Sequence, residues 1–386
     1  MSELTRGQYL GYAGGDAANN LTFSMASAFL LIYYTDVAGI SAAAAGTLFL
    51  VVRVWGGVTD LFAGSRIDKT STKWGRFRPY LLFGSVPLMV LFVALFSIPG
   101  GMGATATLVW AYASYALFQL VYSFVNIPYG SLAAVMTQDS DERAKLSMSR
   151  SVAASLTILV IALVVSPQID GSEDLQRSLT ITTMIFAVVG VALYLWCFST
   201  SRETVQRRAA TVTAKDTAEM LRRNRPLLTL CAATIIFLTG MFTLQTVAVY
   251  YARDVLGSSG YYIWLTIVQT AGMLLAAVLV PKAVASIGKK KTYLIAAVVG
   301  AVAAVGVALA PSETPVLGIA AYGLLGIPLG MLNTLIFALQ ADTVDYGEWN
   351  SGVRAEGASY SVLSFTRKAG QGIGGAAAAY TIGVGG

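Results

Sequence analysis

Long apolar runs separated by short polar segments follow one another along almost the whole chain. The runs are continuous rather than alternating, which is typical of helices and not of barrel strands. Each can cross a hydrocarbon layer of about 30 Å as a helix of about 20 residues. Eleven such runs lie near 11–37, 42–63, 80–98, 105–136, 151–167, 179–199, 227–251, 262–281, 292–310, 316–341 and 360–383. The pattern predicts an all-α membrane protein with about eleven spans.

The composition supports this prediction. Of 386 residues, 56% are hydrophobic and 12% are charged, with a mean hydropathy of +0.66. A soluble domain carries about twice that share of charged residues. The chain has no histidine, and its two cysteines, Cys197 and Cys231, lie in apolar runs as small core residues do. We therefore expect no enzyme, no bound metal, no cofactor and no nucleic-acid partner.

Basic residues predict the orientation. The segment "SRIDKTSTKWGRFRP", after the second run, holds five basic residues and one acid, and "KKK" follows the eighth run. The segment 201–226 is also rich in arginine, whereas the opposite loops are short and mainly acidic. Basic loops stay in the cytoplasm. We predict a multi-pass protein of a bacterial inner membrane with a cytoplasmic N-terminus.

The two basic loops also indicate an internal repeat. The loop after the second run ends in "GRFR", and "GKKK" occupies the equivalent place six runs later. Stop-transfer loops alone explain basic residues but not this matching position. We predict parallel repeats, with an N-terminal six-helix bundle at 1–200, a cytoplasmic connector at 201–226 and a C-terminal bundle at 227–386 that has about five helices.

Several charges fall in or at the edge of the predicted spans. A charged side chain at mid-bilayer costs at least about 2.5–3.5 kcal/mol, so such residues usually face water or a partner and serve function. Arg53 and Asp60 are seven residues apart, about 10.5 Å along one helix, so each needs a partner on another helix. Between them, Gly56 and Gly57 are typical of close helix packing. The charged set is Asp16, Arg53, Asp60, Arg150, Arg367 and Lys368.

Several long motifs carry a family resemblance. They include "GYAGGDAANN", "KWGRFRPYLL", "NIPYGSL" and "SFTRKAGQGIGG". With these the chain resembles the glycoside–pentoside–hexuronide:cation symporters of the major facilitator superfamily, and among them the bacterial glucuronide transporters. The resemblance implies the major facilitator fold, two six-helix bundles. Because the sequence stops soon after the eleventh run, we expect the last helix to be missing from this chain.

The resemblance also implies a sugar site. Asp16 matches a carboxylate that binds sugar hydroxyls, Arg150 and Lys368 match charged residues at the sugar site, and Asn126 replaces a second sugar-binding aspartate. A neutral Asn126 would not repel an anionic sugar, and Arg150, Arg367 and Lys368 would offer cationic donors to it. Five tyrosines could stack on a sugar or simply pack, and of these we assign Tyr122 and Tyr129 to the site. The five are Tyr12, Tyr33, Tyr34, Tyr122 and Tyr129.

A cation site is implied as well, with one departure. Asp60 matches one of two helix-two aspartates, Ser123 stands at a hydroxyl position beside it, and Gly56 replaces the second aspartate. Hard cations need several oxygen ligands, whereas a single carboxylate in an apolar cavity suits a proton. We therefore predict coupling to H⁺ rather than Na⁺, and we group Arg53 with this site.

Charged residues at the predicted cytoplasmic ends of spans are candidates for gating. Asp342 and Asp345, at the end of the tenth span, could equally be plain solvated residues. The gating set is Asp68, Arg76, Arg78, Asp342 and Asp345.

These features predict a monomeric symporter that imports glucuronides or related glycosides by alternating access. Two alternatives stay open. One is a carrier of amphipathic lipids with the same fold, and the other is a sugar sensor or a defective transporter that binds without transport.

Overall fold

The structure of the chain is a computed structural model that describes residues 4–68, 70–137, 139–204, 224–351 and 356–385. Nearly all of these residues are helical. By their internal contacts they divide into two compact units, Met1–Arg208 with Ala379–Gly386, and Ala209–Ala378. Most of the predicted connector lies outside the described residues, so the predicted domain boundaries stay a prediction.

Six long helices belong to the first unit. They are α1 (Arg6–Ile32), α2 (Ala42–Asp68), α3 (Arg78–Leu95), α4 (Ala104–Met136), α5 (Ser140–Gly171) and α6 (Leu175–Thr200). Helix α1 packs against α5 and α6, while α4 packs against α2 and α3. The Asp174 side chain caps α6 by accepting a hydrogen bond from the backbone N–H of Arg177.

Five further helices follow. They are α7 (Arg225–Tyr250), α8 (Tyr261–Ile287), α9 (Lys289–Ala308), α10 (Pro315–Ser351) and α11 (Glu356–Gly385). Helix α10 packs most closely on α8. A Cβ on Gly326 would stand 2.6 Å from the carbonyl oxygen of Gln269, and one on Gly272 would stand 2.7 Å from that of Gly323. Glycine at these positions lets the two helix backbones meet directly.

The eleven long helices of the described residues match the eleven predicted spans in number and order. Two boundaries are wrong by about three turns: α5 begins at Ser140 rather than near 151, and α10 runs to Ser351 rather than to 341. Both extensions are polar, and apolarity alone therefore does not detect them. Helix α4 is continuous through Pro128.

Hydropathy distinguishes two helices from the rest. Within the described ranges, nine helices are long and apolar enough to cross a membrane, and α1 and α11 are not among them. Helix α1 carries Asp16 and two asparagines, and α11 carries Arg367 and Lys368. Both helices outside the apolar set therefore carry charged residues that are predicted to bind substrate.

The ends of α1 and α7 repeat one local structure. Each helix continues into a π-helical turn, Tyr33–Val37 and Tyr251–Val255, with the sequences "YYTDVAG" and "YARDVLG" from the first residue of each turn. Each turn leads to a glycine with positive φ, 68° at Gly39 and 90° at Gly257. Because the two turns lie six helices apart, they are a second sign of an internal repeat.

Candidate functional site

An ion pair between α1 and α5 is the centre of the candidate site. The Nε of Arg150 donates to Oδ1 of Asp16 at 2.5 Å, and the side chain of Asp16 is only 5% exposed against 41% for that of Arg150. Nearly complete burial of a carboxylate requires a partner of opposite charge or several donors. Asp16 and Arg150, 134 residues apart in sequence, are therefore brought together by the fold, and their shared role in binding sugar stays a prediction.

A neighbouring amide holds the second oxygen of Asp16. The Nδ2 of Asn20 donates to Oδ2 of Asp16 and to its backbone carbonyl, both at 2.9 Å. The Oδ1 of Asn20 in turn accepts from the hydroxyl of Ser24 at 3.1 Å. Asn20 lies one turn after Asp16 on α1, so the helix itself presents the amide to the carboxylate.

Two tyrosines support the arginine. The guanidinium carbon of Arg150 lies 5.3 Å from the ring centre of Tyr129, which stacks on Tyr12 at 4.9 Å and donates its hydroxyl to the Tyr12 carbonyl at 2.8 Å. A Cβ on Gly15 would stand 2.5 Å from the Tyr129 ring, so glycine is required there. We call Asp16, Asn20, Tyr129 and Arg150 the charged cluster.

The α4 helix carries two more predicted residues on the face of Tyr129. Tyr122 and Asn126 precede Tyr129 by seven and three residues, a spacing that places all three on one side of a helix. Tyr122 lies in the neighbourhood of the charged groups of Asp16, Arg53 and Arg150. Asn126 is half-buried, and its side chain makes no hydrogen bond to the described residues.

Arg53 on α2 contacts another helix, but through an aromatic ring. Its guanidinium carbon lies 5.2 Å from the ring centre of Phe23 on α1, and it forms no ion pair with the described residues. Phe23 stacks on Tyr122 at 6.2 Å. A cation–π contact contributes about 0.5–2 kcal/mol, whereas an arginine at mid-bilayer costs ~2.5–3.5 kcal/mol or more. The Phe23 ring therefore offsets only part of the cost of placing Arg53 in a membrane-spanning helix.

The predicted cation site lies between α2 and α4 and is packed with neutral groups. The hydroxyl of Thr59 lies 3.0 Å from that of Ser123 and donates to the Gly56 carbonyl, and Ser123 donates to the Gln119 carbonyl. A Cβ on Gly56 would stand 3.0 Å from the Gln119 carboxamide. We call Gly56, Thr59, Gln119 and Ser123 the neutral cluster.

Asp60 follows the neutral cluster directly on α2 and is half-buried. It is the carboxylate next in sequence to Thr59, one turn after Gly56. Within the described part of the chain, no group of three or more acidic or cysteine side chains could hold a metal ion.

The predicted site residues of α11 belong to the second unit. The guanidinium carbon of Arg367 lies 4.8 Å from the ring centre of Phe337 on α10, and Lys368 is half-buried. Helix α11 is fixed to α7 by two hydroxyls, since Thr239 and Thr243 donate to the carbonyls of Gly370 and Gly374 at 3.3 and 3.0 Å.

Comparison with known proteins places this geometry in a family. The family model described as "MFS/sugar transport protein" matches residues 11–386. The chain belongs to this family. It is therefore a transporter of the major facilitator superfamily and not an enzyme, and it is a multi-pass protein of the bacterial inner membrane.

Relatives and a solved structure agree with this assignment. The glucuronide carrier protein homolog of Escherichia coli (strain K12) is 43% identical over 385 residues, 98% of this transporter and 83% of the relative. The isoprimeverose transporter of Lactiplantibacillus pentosus is 35% identical and covers 97% and 79% of the two chains. The crystal structure of the nucleoside transporter NupG has a TM-score of 0.73, covers 98% and 92%, and shares the fold at 13% identity.

The predicted gating residues of the first unit stabilise a loop of the transporter. Arg78 donates through Nε and Nη2 to the carbonyl of Phe198 at 3.1 and 2.8 Å, and the Nε of Arg76 donates to the carbonyl of Ile67 at 3.1 Å. The side chain of Asp68 lies outside the described residues. In the second unit Asp342 pairs with Lys289 at 2.6 Å, and Asp345 is exposed. A role in gating stays a prediction for all five.

Sequence reasoning missed several residues that the structure makes important to this transporter. Glu203 caps α3, because its carboxylate accepts the backbone N–H groups of Arg76, Phe77 and Arg78 at 2.8, 2.8 and 3.0 Å. Asn20 could have been found from its position one turn after Asp16. Gln119 and Thr59 carry no charge and gave no signal.

Proposed function

We propose that this transporter imports glucuronides or related glycosides together with a coupling cation, H⁺ rather than Na⁺. It works as a monomer by alternating access, with its N-terminus in the cytoplasm. The observation that carries the proposal is the ion pair of the buried Asp16 with the partly exposed Arg150, in which Asn20 donates to the second carboxylate oxygen. Such a pair offers an acceptor and donors to the hydroxyls of one sugar.

The charged cluster retains capacity for a ligand. Each carboxylate oxygen of Asp16 accepts one side-chain hydrogen bond here, whereas a carboxylate has about four acceptor positions. Arg150 donates to Asp16 through Nε, and its two terminal nitrogens carry further N–H donors. Asn126 contributes a neutral amide on α4, on the same helix face as Tyr129.

The relatives support a glycoside as substrate. The Escherichia coli relative is named for glucuronide and the Lactiplantibacillus relative for isoprimeverose, so both names refer to sugar derivatives. At 43% identity the first name supports a sugar with a carboxylate. We therefore propose glucuronides first and other glycosides second.

The neutral cluster supports coupling to protons. A hard cation requires several oxygen ligands held close together, and a Cβ at position 56 would already stand only 3.0 Å from the Gln119 carboxamide. Asp60 then serves as a single carboxylate that can bind and release one proton.

Uptake into proteoliposomes tests the proposal. We expect a labelled β-glucuronide to accumulate under an inward proton gradient and not under a sodium gradient alone. Asp60→Asn should abolish accumulation and leave exchange of substrate across the membrane intact, because exchange needs no net proton movement.

The exposed Glu313 provides the matched control. Glu313→Gln removes one carboxylate outside the site and should transport as the wild type does. Sodium-driven uptake, or gradient-driven accumulation by Asp60→Asn, would contradict proton coupling through Asp60. Binding with neither uptake nor exchange would contradict the transport function itself.

A further inference from the structure

Arg53 and Arg150, which both lie on helices of the first unit, differ in how their charge is balanced. Arg150 is paired with Asp16 at 2.5 Å, so the pair has no net charge. Arg53 has a phenyl ring as its neighbour and no acidic partner among the described residues. Asp60 is on the same helix, but two turns or about 10.5 Å farther along its axis.

A carboxylate approaching the charged cluster meets an acid as well as a base. Asp16, 2.5 Å from Arg150, would repel it while Arg150 attracts it, and sugar hydroxyls are better ligands for such a pair. Arg53 has no neighbouring acid of this kind. Its planar guanidinium lies over the Phe23 ring, an arrangement that holds the group while its N–H edges remain able to bind a carboxylate with two hydrogen bonds.

Aromatic residues connect the two arginines. Phe23 lies seven residues after Asp16, two turns along the same face of α1, and it stacks on Tyr122 at 6.2 Å. Tyr122 also has Asp16, Arg150 and Arg53 in its neighbourhood. A sugar ring lying against Tyr122 can therefore extend toward Asp16 and Arg150 with one edge and toward Arg53 with the other.

We propose that Arg53 binds the carboxylate of a hexuronide, whereas Asp16 and Arg150 bind its hydroxyls. This inference rests on the proposed function and deepens it, because it assigns the preference for an anionic sugar to one residue. Arg53 then acts in substrate selection rather than in cation coupling, where the sequence placed it. The Phe23 ring is the positioning group for its guanidinium.

A pair of ligands that differ only at one carbon tests this assignment. Affinities of the purified transporter for 4-nitrophenyl β-D-glucuronide and 4-nitrophenyl β-D-glucoside are measured by titration calorimetry. We expect Arg53→Gln to lower the ratio of glucuronide to glucoside affinity at least about 10-fold, as loss of a charge-assisted contact implies. Arg53→Lys should give an intermediate ratio, because it retains the charge and loses the paired donors.

Two further variants complete the experiment. Arg150→Gln should weaken binding of both ligands alike, and Arg6→Gln, which removes an exposed charge at the start of α1, should change neither. An unchanged ratio in Arg53→Gln, or a fall of the ratio only in Arg150→Gln, would overturn the inference. Wild-type protein that binds the glucoside and not the glucuronide would overturn the proposed substrate, and the inference with it.

Discussion

The charged and the neutral cluster both lie where helices of the first unit meet, yet they are stabilised in opposite ways. In the charged cluster, Asp16 is held by an ion pair and by the Asn20 amide, so the positions of its polar groups depend on a charge. In the neutral cluster, a glycine leaves room for the Gln119 carboxamide, and the Thr59 and Ser123 hydroxyls donate to backbone carbonyls. The first cluster is therefore sensitive to loss of charge and the second to added volume.

The largest effect should follow from removal of one charge. Asp16→Asn leaves Arg150 without its counter-charge, and Arg150→Gln leaves a nearly buried carboxylate. Leaving a buried charge without its partner costs about 3–5 kcal/mol, so Arg150→Gln should lower thermal stability in detergent most, and each single variant should weaken substrate binding. The double variant should be more stable than the sum of the single changes implies, because neither charge is left alone.

An exposed ion pair provides the control for this cycle. Lys289 and Asp342 lie 2.6 Å apart with side chains 38% and 48% exposed. Lys289→Gln should change stability by less than about 1 kcal/mol, since water compensates exposed charges. Equal losses of stability at the two pairs, measured by thermal unfolding, would refute the view that burial makes the charged cluster sensitive.

The sequence predicted the charged cluster only in part, for a physical reason. Asp16 and Arg150 were identified because each is a charge in an apolar context, whose cost is visible without knowledge of the fold. Their contact was implied only by the family resemblance, since 134 residues separate them.

The number of helices was predictable because an apolar run of sufficient length has one stable form in a bilayer. The polar first turns of α5 have no such signal, so the sequence did not predict them.

The neutral cluster should respond to a single methyl group. In Gly56→Ala the new Cβ would stand 3.0 Å from the Gln119 carboxamide, which is 5% exposed and has little room to move. Such overpacking costs about 1–3 kcal/mol and exceeds the gain of up to about 1 kcal/mol that alanine brings to a helix. We therefore expect a net loss of stability in thermal unfolding.

Two variants determine whether the contact is the cause. Gly130 lies inside α4 with nothing within 4 Å of a Cβ, so Gly130→Ala should be neutral or stabilising. In Gly56→Ala combined with Gln119→Ala, the added methyl group should no longer be destabilising. If Gly130→Ala loses as much stability as Gly56→Ala, or if the double variant is no more stable than Gly56→Ala, then backbone effects and not packing cause the loss of stability.

The neutral cluster was less predictable than the charged one. Gly56 drew attention because the resemblance implied an aspartate there, but Gln119 and Thr59 carry no charge whose burial would be costly. Their importance arises from a distance of 3.0 Å between two helices, a property of packing that appears only in three dimensions. The same holds for Glu203, which caps a helix start 125 to 127 residues away.

The smallest expected effects are those of replacing two adjacent asparagines of α1, and the two replacements should give different results. Asn20 donates to Asp16 at 2.9 Å, whereas Asn19 accepts from the Tyr194 hydroxyl at 2.9 Å and thereby joins α1 to α6. A hydrogen bond to a charged group contributes about 1.5–3 kcal/mol and one between neutral groups about 1 kcal/mol. Asn20→Ala should therefore weaken glucuronide binding about 10-fold or more with little loss of stability, because Asn20 is half-buried and water can replace its amide.

Asn19→Ala should show the opposite result, with lower stability and nearly unchanged affinity, because Asn19 is 3% exposed and leaves the Tyr194 hydroxyl buried without an acceptor. Titration of the same ligand and thermal unfolding of both variants provide the comparison. If both asparagines affect affinity equally, the electrostatic support of Asp16 by Asn20 is not what positions the carboxylate, and packing of α1 on α6 controls the site instead. If Asn20→Ala changes mainly the affinity and Asn19→Ala mainly the stability, then neighbouring residues of α1 serve ligand binding and helix packing respectively.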